Sequence, residues 1–344
     1  MTFSLTRRTL TRRTLGASLL ATPFIRAAHA EEPLRLRASL DTSPTHGRNV
    51  AVTEYLQKLE VASKGRIVGQ VFHSGQLYPD RDVSKALMQG QVEMAAPGTW
   101  LVTGFVPDAD LLGLPAFYGQ PLEVSRRVVD GKSGQLVAKQ LNQKLKVQVL
   151  GDWFYLTFQN WYSSKRPLNT LADLKGMKIR TAGGYVQAWR TSFFGAVPNT
   201  TSWQDVPLAL SQGTFDGVMT TNESIVSAKL WEAGLKYGLE DHQSMAMYVP
   251  MVSGTFWAKL TPDLQKLMLD LWAESSPAWR ERMIASGTAS REEILKHGVK
   301  LITPTASELA DAHKRQLLEQ DKVAQEMKIS PELLKQIMLD IGNA

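Results

Sequence analysis

The stretch DLKGMKIRTAGG, residues 173–184, holds the side chain best placed to bind a charged ligand. Its alternation of apolar and polar residues predicts a short strand that ends near Arg180. In a doubly wound sheet, ligands bind at the carboxyl ends of the parallel strands. Gly183 and Gly184 then allow a tight turn into the next helix. A guanidinium there offers a planar fork of donors that matches a carboxylate, so the pattern predicts an anion-binding site.

A second interpretation of Arg180 stays open on the local sequence. In that interpretation the arginine lies on the exposed rim of the strand and pairs with a nearby acid such as Asp173. Burial in a cleft strengthens an arginine–carboxylate pair, whereas exposed pairs contribute little to stability. The residue types alone favour neither interpretation over the other.

Motifs of catalysis and of metal binding are missing from the sequence. It contains no G-x-G-x-x-G, no phosphate loop, no G-x-S-x-G and no H-E-x-x-H motif. The histidines after residue 30 are scattered without metal-ligand spacing. An enzyme needs a nucleophile or base positioned beside an oxyanion donor, and no pattern supplies one. We therefore expect no cofactor, no metal site and no catalytic residue, with an exported α/β enzyme acting on an organic acid as the alternative.

The first thirty residues predict a twin-arginine export signal. Arginine pairs at 7–8 and 12–13 precede a short, mildly apolar run that ends in AHA at residues 28–30. A charged start, a short apolar middle and a small-x-small end are typical of export signals, and paired arginines are typical of the twin-arginine route. The apolar run is too short to span a bilayer. We expect cleavage near residue 30 and a periplasmic location.

The charge balance argues against a nucleic-acid partner. The whole chain has a formal net charge of +6, but residues 1–30 carry five arginines and no acid, so the remainder has a net charge of +1. The apparent basicity therefore belongs to the export signal. The chain has no cysteine, which is compatible with an oxidising compartment because a chain of 344 residues can bury a core without disulfides.

Strands and helices alternate after the export signal. Strands are predicted in LRLRASL, RIVGQVFHS and QVEMAAPG, with helices between them, which implies parallel strands and right-handed crossovers. One continuous helix is predicted over residues 120–145, and a second α/β cycle over residues 176–221. From residue 261 the chain is mostly helical, beginning with Thr261 before Pro262. The pattern predicts an α/β fold with mixed, mostly parallel sheets and a helical C-terminus.

Several longer motifs, in this order, resemble the solute-binding proteins of the tripartite ATP-independent periplasmic (TRAP) transporters. They are GQLYPDRDVSKALMQGQVEMAAPG, LLGLPAFYG, DLKGMKIRTAGG and FFGAVPNTTSWQDVPLALSQGTFDGVMTT. The resemblance covers nearly all of the chain after residue 30. It implies a periplasmic-binding-protein-like fold of two α/β domains, joined by crossing strands and braced by a long helix. We expect domain I over residues 31–155 plus about 246–285, and domain II over about 156–245 plus 286–344.

The resemblance also implies which residues bind the ligand. Arg180 matches the arginine that clamps the ligand's carboxylate in this family. Many members carry a second arginine at the position of Asn160, which stands beside Gln159 in this chain. In the family an asparagine usually follows the later strand TFDGVM, whereas this chain has Thr220 and Thr221 there and only then Asn222. One strong cation instead of two argues against a dicarboxylate or a sialic-acid-like ligand. Some members bind a metal through an acidic residue followed by an aromatic one. This chain has Thr220 and Thr221 at those two positions, so no metal is expected.

Apolar and aromatic residues complete the predicted site. Trp100 and Trp203 stand on loops at strand ends, and an apolar wall around one buried charge suits a small or aromatic organic acid. The predicted ligand-binding residues are Arg180, Asn160, Gln159, Thr220, Asn222, Trp100, Trp203 and Gln76.

The function implied is that of a periplasmic receptor, a monomer that closes around a small organic acid by hinge motion. The resemblance further implies delivery of the acid to the membrane subunits of a TRAP permease. The same fold serving a sensor is an alternative that the sequence does not separate from transport.

Overall fold

The computed structural model describes residues 1–2 and 32–342, and residues 33–342 belong to one compact unit. Apart from its first two residues, the predicted export signal lies outside the described residues. Among the helices that are described, none combines the length and apolar composition needed to cross a membrane.

The strands alternate with helices along most of the chain, as the sequence predicts. The described strands are β1 Leu34–Ser39, β2 Ile67–Phe72, β3 Met94–Ala95, β4 Val147–Val149, β5 Phe154–Phe158, β6 Asn160–Ser163, β7 Lys178–Thr181, β8 Val197–Thr200, β9 Gly217–Thr220, β10 Tyr237–Leu239, β11 Met245–Tyr248, β12 Met251–Ser253 and β13 Lys300–Ile302. They form a five-stranded sheet, a six-stranded sheet and a separate two-stranded ladder.

The described α-helices surround these sheets. They are α1 Gly47–Ala62, α2 Val83–Met88, α3 Leu122–Asp130, α4 Lys132–Leu145, α5 Tyr185–Phe193, α6 Val206–Ser211, α7 Asn222–Ala228, α8 Gly254–Trp257, α9 Pro262–Lys296, α10 Ala306–Leu317, α11 Gln320–Met327 and α12 Pro331–Gly342. Short 3-10 helices lie at Thr99–Leu101, Pro107–Gly113, Pro115–Phe117, Leu171–Leu174 and Trp203–Asp205.

The five-stranded sheet has the order β2-β1-β3-β12-β4, and we call the part of the protein built on it the first lobe. The strand β1 runs parallel to β2 and β3, in agreement with the predicted α/β rhythm. The helix α1 covers this sheet through buried residues such as Val52, Leu56 and Leu59, which are the apolar positions of a helical stripe.

The six-stranded sheet has the order β13-β10-β6-β9-β7-β8 and forms the second lobe. The strand β7, which carries Arg180, lies between β8 and β9 and is parallel to both. The carboxyl ends of these three strands therefore point to the same edge of the sheet, where a ligand is expected.

The chain passes between the lobes through β5 and β11, which pair antiparallel. One crossing leads from β4 to β6, and the other leads from β10 to β12. Every antiparallel ladder among the described strands involves this pair, β6 or β12, because the chain re-enters each sheet from the opposite direction. Antiparallel ladders are as numerous as parallel ones in this part of the chain, so the sheets are mixed without the predicted parallel majority.

The helix α9 braces both lobes. It contacts α1 of the first lobe, α7 of the second lobe and the crossing strand β5. Its first residue is Pro262 and its N-cap is Thr261, as the sequence predicts.

Two features of the helices differ from the sequence prediction. The helix expected over residues 120–145 is divided into α3 and α4, because Gly131 between them has an extended backbone. The last helix, α12, packs on α3 and α4 with Leu333 and Ile337 in the core of the first lobe, although residues 286–344 were assigned to the second domain. The domain bounds themselves remain a prediction.

Candidate functional site

Arg180 is buried, with 2% of its surface exposed. Its Nε donates to the carbonyl oxygen of Thr201 at 2.9 Å. Its Nη2 is also buried, and no hydrogen-bond acceptor among the described residues contacts it. The interpretation of Arg180 as an exposed rim residue is therefore wrong, and Asp173 instead accepts hydrogen bonds from the backbone of Asn169 and Thr170.

The electrostatics around Arg180 keep it charged. Burial lowers the pKa of Arg180 to about 10, and the nearby Asp80, Asp41 and Tyr248 oppose that shift. The guanidinium also lies over the ring of Trp203, 5.3 Å from its centroid. A cation that remains protonated at neutral pH and has an unpaired, desolvated N–H group is suited to bind an anion.

The two glycines after β7 both have positive φ, as expected for the tight turn predicted there. Gly183 has φ 127° and Gly184 has φ 77°, a region that residues with a side chain rarely adopt. A Cβ added to Gly184 would lie 3.2 Å from the Cβ of Trp100. Gly184 therefore lets the loop that follows Arg180 approach Trp100 of the first lobe closely.

Arg180 faces a narrow cavity of about 30 Å³ between the lobes, which is partly open to solvent. Asp80 and Trp100 line it from the first lobe, and Arg180 and Thr220 line it from the second. Leu156 and Ala246 of the crossing strands form part of its wall. Walls contributed by both lobes and the strands between them are typical of a site that opens and closes by hinge bending.

Five of the eight predicted residues line this cavity. They are Arg180, Gln159, Thr220, Trp100 and Trp203. The structure brings them together from a loop of the first lobe, the segment between β5 and β6, and three segments of the second lobe.

The structure does not bring the other three predicted residues to the cavity. Asn160 and Asn222 line a second cavity beside α9, where Asn160 accepts from the His242 backbone at 2.9 Å and Asn222 donates to Glu240 at 3.0 Å. Consecutive strand residues face opposite sides, so Gln159 and Asn160 cannot both face one cavity. Gln76 is exposed and lines neither cavity.

The comparison with protein-family models agrees with this architecture. The model described as bacterial extracellular solute-binding protein, family 7, matches residues 40–326. The chain belongs to this family. The TRAP resemblance and the two-domain α/β fold predicted from the sequence are thereby confirmed.

Relatives and solved structures are similar over most of their length. The C4-dicarboxylate-binding periplasmic protein DctP of Rhodobacter capsulatus is 26% identical over 274 residues, which cover 78% of this chain and 80% of the relative. A TRAP periplasmic solute-binding protein of Sulfurospirillum deleyianum with bound succinate has TM-score 0.80 and 23% identity, covering 90% of this chain and 99% of that chain. The sugar acid binding protein of Advenella mimigardefordensis in complex with galactonate has TM-score 0.84 and 18% identity, covering 91% and 99%.

Asp80 lines the cavity of this family 7 protein and was not predicted from the sequence. Its Oδ2 accepts from the backbone N–H of Trp203 at 3.1 Å, and its Oδ1 is buried without a partner among the described residues. Burial, together with the charge of Asp41, raises the pKa of Asp80, and Arg180 opposes the rise. Gln76 and Asp80 both lie in the motif GQLYPDRD, in which the predicted Gln76 is exposed and Asp80 faces the cavity, and no local pattern distinguishes the two.

Asp41 and Tyr248 also line the cavity and were not predicted. Both are held by Arg48, whose side chain is 1% exposed. Arg48 donates to Asp41 Oδ1 at 2.6 Å and to Thr42 Oγ1 at 2.7 Å, and it lies over the Tyr248 ring at 3.9 Å. The charge of Asp41 is thus neutralised inside the first lobe, which leaves Arg180 as the cation directed at the cavity.

Three buried polar atoms of the cavity wall have no partner among the described residues. They are Arg180 Nη2, Asp80 Oδ1 and Trp100 Nε1. Buried polar atoms usually have a hydrogen-bond partner. A molecule bound in this cavity would therefore have to offer one donor, to Asp80, and two acceptors, to Arg180 and Trp100. Within residues 1–2 and 32–342, no group of three acidic, histidine or cysteine side chains is arranged to hold a metal ion.

Proposed function

We propose that this protein captures a small organic acid in the cavity between its lobes and holds the acid's carboxylate with Arg180. The observation that carries the proposal is the buried guanidinium with an unpaired Nη2 facing that cavity. A carboxylate placed there would accept a charge-assisted hydrogen bond in a desolvated setting, where such bonds are strong. Because the family consists of solute-binding proteins, we infer binding without turnover.

The acid is proposed to carry a hydroxyl group as well. A hydroxyl donates one hydrogen bond and accepts others, so it can satisfy both Asp80 Oδ1 and Trp100 Nε1. An acid without a donor would leave the Asp80 oxygen buried and unpaired, which costs free energy. The names of two solved relatives, one with bound galactonate and one with bound succinate, show that both kinds of acid occur in proteins of this fold.

Transport is the proposed role of the bound acid. We infer that the protein is exported by the twin-arginine route, acts in the periplasm as a monomer and delivers its acid to a TRAP membrane permease. The support is the family and the periplasmic relative from Rhodobacter capsulatus. Loss of uptake of the acid in a strain that lacks either this protein or the permease subunits would test this role.

The capture of an acid is tested by a thermal-shift screen of organic acids, followed by mass spectrometry of the acid recovered after long incubation. A ligand at about a hundred times its dissociation constant stabilises a protein by roughly 2.7 kcal/mol, which gives a visible shift. We expect at least one hydroxy acid to stabilise the protein and to be recovered unchanged. Chemical conversion of the acid would contradict binding without turnover, and a response only to cations or neutral solutes would contradict the carboxylate clamp.

A further inference from the structure

A contact between the lobes lies beside the cavity and joins Glu223 to Gly47. Glu223 is in the first turn of α7, between Thr221 and Ser224, which both line the cavity. Gly47 begins α1 of the first lobe, directly after its N-cap His46. The Oε1 of Glu223 accepts a hydrogen bond from the backbone N–H of Gly47. A carboxylate of the second lobe thus meets the first turn of a helix of the first lobe.

The approach is close and the carboxyl group is desolvated. A Cβ added to Gly47 would lie 2.6 Å from Glu223 Oε1 and 3.3 Å from Met283, so a larger residue would push the lobes apart here. Glu223 is 4% exposed, and its Oε2 is buried with no hydrogen-bond partner among the described residues. A buried carboxylate with one oxygen unpaired is costly in its charged form.

The surrounding groups do not fully compensate that charge. Arg48 is the cation on α1, but it is already paired with Asp41. Burial keeps the pKa of His46 well below its usual range, so that ring is neutral, and Tyr248 of β11 has a pKa raised by burial and is neutral too. Met283 of α9, which is uncharged, lies beside Gly47 at this contact. As a result, burial raises the pKa of Glu223 to about 7, against the opposing effects of the Gly47 N–H and of Arg48.

We propose that Glu223 is a positioning residue that joins the second lobe to the first turn of α1 and, by gaining or losing a proton, sets how firmly the lobes close over the cavity. This inference rests on the proposed function, because it concerns closure around the same ligand. The contact acts on the ligand indirectly, since α1 also carries Arg48, which holds Asp41 in the cavity wall.

The direction of the pH dependence follows from the burial of Glu223. When the lobes separate, water reaches the carboxyl group and its pKa returns toward the usual value of about 4.3. The closed arrangement then binds a proton more tightly than the open one. The free energy that favours closure therefore falls as the pH rises from about 4.3 to about 7, and it stays constant at higher pH. Ligand affinity should therefore fall about tenfold between pH 6 and pH 8.

Titration calorimetry with L-lactate and D-galacturonate as probe acids, at pH 6 and pH 8, tests this dependence. Glu223→Gln keeps a carbonyl oxygen for the Gly47 N–H but does not titrate. We expect it to lose the tenfold change and to bind at pH 8 about as tightly as the unmodified protein does at pH 6. Glu223→Ala removes the contact and should weaken binding at both pH values through faster release. Glu232→Gln, an exposed glutamate just after α7, is the matched control and should keep the tenfold change.

A ligand-free measurement separates this inference from the proposed function. Small-angle X-ray scattering of the ligand-free protein at pH 5 and pH 8 reads out lobe closure itself. The closed fraction of the unmodified protein should fall as the pH rises, and that of Glu223→Gln should not change. Absence of binding by either probe would count against the proposed function for these acids, while the scattering result would still decide on Glu223. A Glu223→Gln protein that retains the full pH dependence of the affinity, or a closed fraction that varies with pH equally in both proteins, would overturn the inference.

Discussion

Arg180 and Trp203 form a cation–π pair at the carboxyl edge of the second lobe, with the guanidinium carbon 5.3 Å from the indole centroid. The same tryptophan donates its backbone N–H to Asp80 of the first lobe at 3.1 Å. Trp203 therefore orients the proposed carboxylate clamp and also ties the two lobes together across the cavity. A hydrophobic side chain without an aromatic face could fill the space but could not hold the guanidinium in this way.

Replacing Trp203 tests that relationship. Trp203→Leu should weaken binding of an acid selected by the thermal-shift screen by about 2 kcal/mol, because a desolvated cation–π contact is lost. Trp203→Phe should have a smaller effect, since a ring face remains. Trp231→Leu, which removes an indole stacked on His297 away from the cavity, is the control. Calorimetric affinities that are equal for Trp203→Leu and Trp231→Leu would contradict the orienting role.

Removing the carboxyl group of Asp80 should change which acids are preferred. L-lactate and propionate, two monocarboxylates, differ by one hydroxyl group, so their affinity ratio isolates the hydrogen bond proposed at Asp80 Oδ1. Asp80→Ala should reduce the preference for L-lactate by about 1.5–3 kcal/mol, the range for hydrogen bonds to charged groups. Asp82→Ala, an exposed acid in the same segment, should leave the ratio unchanged. If Asp80→Ala leaves the preference intact, the hydroxyl does not bind at Asp80.

The backbone after Arg180 should tolerate no side chain. Gly184 has φ 77° and ψ 155°, a conformation that is nearly restricted to glycine. Gly184→Ala should lower the free energy of unfolding by about 1–3 kcal/mol and weaken ligand binding. Gly176 has the same φ but no atom within 4 Å of an added Cβ, so Gly176→Ala isolates the backbone cost from the contact with Trp100. Urea unfolding that shows Gly176→Ala to be the more harmful change would refute the close approach to Trp100.

The free energy of unfolding should depend on both partners of the buried ion pair Arg48–Asp41. Arg48→Met leaves the Asp41 carboxylate largely buried without its cation, which typically costs about 3–5 kcal/mol. Adding Asp41→Asn to the Arg48→Met protein should recover part of that loss, because the uncompensated charge is removed. The exposed pair of Arg66 and Asp263 gives the comparison, and Arg66→Met should change the free energy of unfolding far less than Arg48→Met does. If urea unfolding shows no recovery in the double variant, the uncompensated charge of Asp41 is not the cause of the lost stability.

Short-range sequence patterns predicted the position of Arg180 but not all of its surroundings. The strand before Gly183, the helix start at Thr261 and the position of Trp203 at a strand end depend on neighbours in the sequence, and the structure has each of them. Asp80 depends on how the lobes meet, because its partner is the Trp203 backbone more than a hundred residues away. No local pattern carries that information, since the contact exists only in the folded chain.

The placement of Asn160 shows a different limit of prediction from the sequence. The preceding strand ends near Thr157, which has φ 72° and interrupts the regular alternation of the chain before β6. Gln159 and Asn160 were both predicted from the family resemblance, but consecutive extended residues face opposite sides, so only one of the two can face the cavity. The helix predicted over residues 120–145 was wrong for another reason, since the extended backbone at Gly131 is a local break inside an otherwise helical pattern.

Titration calorimetry of Arg180→Lys tests the central claim most directly. Lysine keeps the positive charge but loses the planar fork, so the variant should bind the selected acid at least about tenfold more weakly, or roughly 1.4 kcal/mol. Arg190→Lys makes the same change at a fully buried arginine that does not line the cavity and donates to the Gly113 carbonyl, and it should keep the affinity of the unmodified protein. Equal affinities for Arg180→Lys and the unmodified protein would contradict the account.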